Sequence, residues 1–175
     1  MPVLFSGSII HNTELLITRR LSKRFKDDFL KLSFFDIWIA NEDRSHNNYN
    51  ILLAIRDGRY ELFPIDHEAC FNHGELISEL YPITYEESLV YSEAFNTLFK
   101  KSDFTRSNIA LLKDKYYVCV ESCKDRVKEV LNEIPPSWGI DVQQEQQILN
   151  TFLFDDLWFE TVWTTFQSYI QFFLN

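Results

Sequence analysis

Apolar residues between positions 21 and 39 recur at three- and four-residue steps: Leu21, Phe25, Phe29, Leu32, Phe35 and Ile39. That spacing gathers them on one side of a helix and predicts an amphipathic α-helix with a basic outer face. The pattern ends near Asn41, where the chain turns wholly polar through Glu42, Asp43, Arg44, Ser45, His46, Asn47 and Asn48. Two β-prone runs follow, ILLAIR (51–56) and YELFPI (60–65), around Asp57-Gly58-Arg59. Such runs about an Asp-Gly turn predict a β-hairpin. Residues 66–82 are irregular and close at Pro82. Beyond them the periodicity is helical. It predicts a helix over 84–100, then a second capped by Ser102 or Asp103. The second carries Ile109, Leu112, Tyr116, Val120, Cys123, Val127 and Leu131, and Pro135-Pro136 stops it. A last helix is predicted from about Val142 to Phe173, with Ile148, Phe152, Phe159, Trp163, Phe166, Ile170 and Phe173 on one stripe. Neither a linker nor an internal repeat interrupts the pattern. The expected fold is one unit over 1–175, mainly α (α+β), with a small β-hairpin.

Composition narrows the classes of function. A length of 175 residues suits one domain, or one lobe of a larger catalytic unit. Aromatic residues make up 16% of the chain, enough to build a core and too many for a disordered chain. The four glycines, Gly7, Gly58, Gly74 and Gly139, lie too far apart for the glycine loops of dinucleotide or P-loop sites. The net charge of −9 argues against non-specific attraction to nucleic acid or anionic membranes, so neither is an expected partner. That charge is uneven. Residues 129–175 hold seven acidic side chains and no Lys or Arg. A solvated acidic helix face explains this, and a basic partner is the sharper alternative. The aromatic stripe of the last helix is read as core, the alternative being a patch that docks another lobe or protein. Cys70, Cys119 and Cys123 make a disulfide framework unsuitable, and buried reduced thiols are expected. MPVLFSGSII has no signal-peptide pattern, so the expected location is cytoplasmic. Residues 157–175 are too short and too polar to span a bilayer.

The densest polar constellation flanks the hairpin. A hairpin brings its two ends together, so Asp43 and Asn48 before the first strand should lie near Asp66 after the second. Phosphoryl transfer to a hydroxyl needs such a set. One carboxylate orients the hydroxyl or accepts its proton, while an Asn oxygen and a second carboxylate hold Mg²⁺ against phosphates. His46, His67 and His73 fit no closed zinc spacing and are read as hydrogen-bonding groups around the loop, with a metal-dependent phosphohydrolase as the competing reading.

FFDIWIANEDRSHNNYNILL and YELFPIDHEACF resemble the catalytic core of HipA-like kinases, a core shared with phosphoinositide-kinase-like enzymes. The loop of that family reads roughly D-R-x-x-x-N, followed by strand, turn, strand and an Asp that opens the metal motif. Here Asp43-Arg44 and Asn48 fit the loop, and Asp66 follows 23 residues after Asp43. Phe35-Asp36-Ile37-Trp38 matches the run leading in, and IPPSWGI (134–140) resembles a late motif of the HipA-like subgroup. The resemblance implies a kinase C-terminal lobe that binds Mg²⁺ and ATP and phosphorylates a Ser or Thr of a protein substrate. By the same resemblance, Asp43 is the catalytic base or hydroxyl-orienting residue. Arg44, beside it in the catalytic loop, is structural and pairs with a nearby carboxylate. Asn48 and Asp66 bind Mg²⁺ and, with His46, the nucleotide side of the site. Two positions depart from the family pattern. Ser45 stands where a His usually follows the Asp-Arg pair, and His46 comes one residue later. No Gly follows Asp66-His67. The roughly twenty residues before the first helix are too few for the sheet, glycine loop and strand Lys that cover a nucleotide in kinases. SGSII (6–10) is the one fragment resembling a glycine-containing turn, and Lys23, Lys26 and Lys31 fall on the predicted helix. A separate N-lobe or an antitoxin-like protein is therefore the expected partner, and a non-catalytic regulatory module is the alternative.

Overall fold

The computed structural model describes residues 8–9, 23–56, 59–72, 74, 76 and 78–175. Leu21, the Asp57-Gly58 turn and His73 lie outside the described residues. In chain order the elements are β1 (Ser8–Ile9), α1 (Lys23–Trp38), β2 (Ile51–Arg56), β3 (Arg59–Pro64), α2 (Glu93–Leu98), α3 (Arg106–Asn132), α4 (Val142–Phe152) and α5 (Asp156–Leu174). The fold is mainly helical with a small antiparallel sheet, as expected. The hairpin has its predicted place, with Ile51 opposite Pro64 and Arg56 opposite Arg59. The sheet is one strand larger than the sequence pattern indicates. Ser8 and Ile9 pair antiparallel with Leu53 and Leu52, covering the edge of β2 that β3 leaves open. A two-residue strand is too short to give an alternation signal.

The core is built where α1 meets α3 and α5. Phe34 of α1 stacks on Tyr116 of α3, ring centroids 4.2 Å apart, and meets Phe166 of α5 edge-on at 5.7 Å. Phe25, Phe29 and Ile37 on α1 are as deeply enclosed. Phe35 is a correction: it belongs to the sequence stripe, yet it is partly exposed and turns its ring edge toward His67. Leu30, Phe34, Ile37 and Trp38 take the buried face in its place, because α1 is covered from more than one side. On α5 the predicted stripe is core: Phe159, Trp163, Phe166 and Ile170 are all buried.

Three helix boundaries differ from the sequence expectation, each for a reason of capping. The helix expected over 84–100 is a single 3₁₀ turn, Leu89–Tyr91, followed by the six-residue α2. Ser92 is extended between them, and its hydroxyl accepts from the Phe95 N–H, starting a new helix in mid-run. The cap of α3 is Thr105, whose hydroxyl accepts from the Asn108 N–H. Asp103 closes the preceding 3₁₀ turn by accepting from the Lys100 N–H at 2.9 Å. The single last helix is two, broken at Leu153-Phe154-Asp155, and Asp155 caps α5 by accepting from the Trp158 N–H at 3.1 Å.

That break is fastened to the end of α1 in both directions. Trp38 donates its indole N–H to the Leu153 carbonyl at 3.1 Å, and Trp158 donates its own to the Trp38 carbonyl at 3.0 Å. An Asp155→Ala variant is expected to lose about 1 kcal/mol of stability, read as a lower urea midpoint with an unchanged slope. An unchanged midpoint would remove the cap from the account of this break.

Three of the seven acidic side chains of the C-terminal part have structural roles. Asp141 and Asp155 are helix caps, and Glu160 pairs with Lys113 at 2.7 Å. The thiols need a second correction. Cys70 is buried, but Cys119 and Cys123 are exposed on α3, whose buried line runs through Tyr116, Val120 and Leu131 instead. No helix among the described residues is long and apolar enough to cross a membrane.

Candidate active site

The polar segment after α1 is a shaped loop. Ala40 takes a left-handed backbone (φ 48°), and the Asn41 N–H donates to the Asp36 carbonyl at 2.8 Å, which turns the chain sharply off the helix. Ser45 and Asn48 then exchange backbone hydrogen bonds at 2.9 and 3.2 Å, so the loop doubles back on itself. This return carries Asn48 and Asn50 to Asp43. The Asn48 Nδ2 donates to both Asp43 carboxylate oxygens at 3.0 Å, and the Asn50 Nδ2 donates to one of them at 2.6 Å. With its amide nitrogen so engaged, Asn48 keeps its Oδ1 as an acceptor available to a cation.

The hairpin delivers the second half of the site. Because Ile51 faces Pro64, the next pair outward is Asn50 and Ile65, and the Ile65 N–H donates to the Asn50 carbonyl at 2.9 Å. Asp66 follows, exposed and left-handed (φ 56°), with its Oδ1 accepting from the Glu68 N–H at 3.4 Å. Asp is one of the residues that tolerate a left-handed backbone, so this turn suits the sequence at that position.

Arg44 ties this loop to the one before the hairpin. Its side chain is fully enclosed and bridges the two loops. One arm pairs with the Asp36 carboxylate, also fully enclosed. The other donates to the Ile65 carbonyl at 2.7 Å and approaches the Asp66 carbonyl at 3.5 Å and the His67 Nε2 at 3.3 Å. Arg44 therefore acts by positioning both loops, matching its expected pairing with a carboxylate, and its burial keeps it from touching a substrate. Burial pushes the Asp36 carboxyl up to about 7, against the pull of the Arg44 charge and hydrogen bonds from Asn41 and Arg44. Burial and the Arg44 charge hold the His67 imidazole below its ordinary range. Burial also raises the Cys70 thiol to about 11, with the nearby Asp36 charge adding to the effect. Further ties lock the loops together. The Glu42 N–H donates to the Ala69 carbonyl, the Phe71 N–H to the Ile39 carbonyl, and the Asn72 amide to the Glu42 carboxylate.

The structure thus gathers Asp43, Arg44, Asn48 and Asp66 around the base of one hairpin. His46 is exposed and engages the next segment instead, with its Nδ1 3.2 Å from the Glu86 carbonyl and its ring edge-on to Tyr91. Among the described residues no three His, Cys, Asp or Glu side chains converge on a point that could hold a metal ion. Asn48 and Asp66 supply hard oxygen donors, the chemistry Mg²⁺ prefers, and leave most of its coordination sphere to phosphates and water.

A family model described as HipA-like kinase matches residues 2–157. The chain belongs to the HipA-like kinase family. The match spans α1, both loops and the hairpin. Searches of curated proteins and of solved structures gave no match.

Three residues of this HipA-like kinase site carry no prediction from the sequence: Asp36 as the partner of Arg44, Asn41 beneath it, and Asn50 against Asp43. Asp36 had a signal, as a lone charge inside the aromatic and aliphatic run Phe34-Phe35-Asp36-Ile37-Trp38. A carboxylate on the buried side of a helix requires a partner. Asn50 had none, since Asn47, Asn48 and Asn50 are alike in sequence and only the doubling back of the loop selects among them.

Proposed function

We propose that this HipA-like kinase chain forms the C-terminal lobe of a Mg-ATP-dependent protein kinase and phosphorylates a Ser or Thr hydroxyl. The observation that carries the reading is the joining of the Asp43 loop to the Asp66 loop through Arg44. Asp43, steadied by two amides, orients the acceptor hydroxyl and takes its proton as the oxygen attacks the γ-phosphorus and ADP leaves. Asn48 and Asp66 would hold Mg²⁺, which neutralises charge building on the phosphates. His46 is assigned to the nucleotide side of the site, with its Nδ1 3.2 Å from the Glu86 carbonyl. An N-lobe covering the nucleotide, or an antitoxin-like protein, is the proposed partner, and the site works in the cytoplasm.

Isothermal titration with Mg-ATP tests this for the full chain. Binding is expected, with the affinity of Asp66→Ala lowered at least tenfold because a metal ligand is gone. Affinity unchanged in Asp66→Ala, or no binding with or without an added N-lobe protein, would overturn the reading and leave a regulatory module in its place.

A further inference from the structure

The two halves of the candidate site meet again below the surface, at one atom. The Asp36 Oδ1 receives the Arg44 guanidinium and, at 3.2 Å, the Asn41 Nδ2. The branches then diverge. Through Arg44 the first reaches the Ile65 carbonyl at 2.7 Å and the Asp66 carbonyl at 3.5 Å, which is the metal loop. Through Asn41 the second reaches the Asp43 N–H, which donates to the Asn41 Oδ1 at 3.2 Å. Asp36, Asn41 and Arg44 are all fully enclosed, so water cannot replace a lost partner. Asp36 lies on a helix packed into the core, whereas both loops leave regular structure and contain left-handed residues (Ala40, Asn50, Asp66). The rigid element therefore holds the node, and the two irregular loops hang from it.

We propose that Asp36 is a positioning residue that fixes the spacing of Asp43 and Asp66 by anchoring Asn41 and Arg44 on a single carboxylate oxygen. The inference rests on the kinase reading for its purpose, though not for its test. The positioning itself needs an oxygen at the Oδ1 position, which a neutral carbonyl also provides, whereas the carboxylate charge compensates the buried Arg44 and bears on global stability. It also makes the two branches separable. Loss of Asn41 frees the Asp43 loop alone, and loss of Asp36 frees both loops.

Amide hydrogen exchange on the full chain without nucleotide tests this directly. In Asp36→Ala, amides of residues 43–50 and 65–70 should exchange about tenfold faster, the scale of one lost buried hydrogen bond to a charged group. The core of α5 should keep its protection. Asp36→Asn, which retains the oxygen but not the charge, should lower global stability while both loops stay within a few-fold of wild type relative to the α5 core. Asn41→Ala should speed residues 43–50 and leave 65–70 unchanged. If Asp36→Ala does not fold, Asp36→Asn and Asn41→Ala still decide the matter. Loosening of both loops or of neither in Asn41→Ala would overturn the proposal, as would loosening of both relative to the α5 core in Asp36→Asn. A parallel Mg-ATP titration separates this claim from the kinase reading. Absent binding in wild type counts against the kinase function, while the exchange pattern alone judges Asp36.

Discussion

Asp43→Asn is expected to slow ADP release from Mg-ATP by about a hundredfold or more, the usual scale for removal of a general base. The Asp43 carboxylate accepts three amide contacts from Asn48 and Asn50, none of which could donate a proton to a reacting group. These contacts fix the carboxylate in place without neutralising it. In the variant an amide would face the two Asn amides, so the site would lose its proton acceptor and gain donor–donor repulsion. Nucleotide affinity should change far less than turnover, because Asp43 is not among the proposed metal ligands. The measurement is a coupled ADP assay beside the titration, on the full chain with a protein substrate and an added N-lobe protein where one is needed. Equal turnover in wild type and variant would remove Asp43 from the chemistry. Lost affinity with unchanged residual turnover would make it a binding group instead.

The second large effect concerns stability. Arg44→Ala is expected to cost about 3–5 kcal/mol at pH 8.5, the range for breaking a buried ion pair on one side. The Ile65 and Asp66 carbonyls lose a donor as well, and Asp36 loses its compensating charge. The pH dependence follows from Asp36. Its folded pKa is raised to about 7 from an ordinary 3.8, so the folded state binds the extra proton between those values. The stability this proton confers is complete at low pH and is lost as pH rises through about 7. Without Arg44 the folded value climbs further, and the decline continues above pH 7 where the wild type levels off. The gap between the proteins should therefore be wider at pH 8.5 than at pH 6. Urea unfolding at the two pH values checks this. A gap independent of pH would mean that Asp36 stays in one protonation state throughout.

The sequence carried the site's spacing better than its depth. The helix, the hairpin and the joining of the two loops at its base follow from periodicity and one turn, because a hairpin is local and its ends must coincide. Arg44 was legible as a residue needing a carboxylate. Its partner lies eight positions earlier in an apolar run, where the pattern assigns residues to a face without showing which way a charge can be satisfied. The helix boundaries failed for a related reason. Ser92, Thr105 and Asp155 each interrupt a run whose hydrophobic spacing continues across them, so periodicity joined what side-chain caps divide. The exposed Cys119 and Cys123 show the same limit: on a 27-residue helix only partly covered by its neighbours, an apolar stripe spaced as if buried stays partly in solvent.

The paired indoles at the end of α1 give this molecule an optical property. Of its four tryptophans, Trp38, Trp158 and Trp163 are enclosed, and only Trp138 is largely exposed at 69%. Trp38 and Trp158 are joined through each other's backbone neighbourhood, three residues before the Asn41 that underpins the catalytic loop. Two of the four indoles that ultraviolet light excites, Trp38 and Trp158, therefore sit at the joint on which the loop stands. A red shift in their emission reports wetting of the loop's foundation, with no dye or label attached.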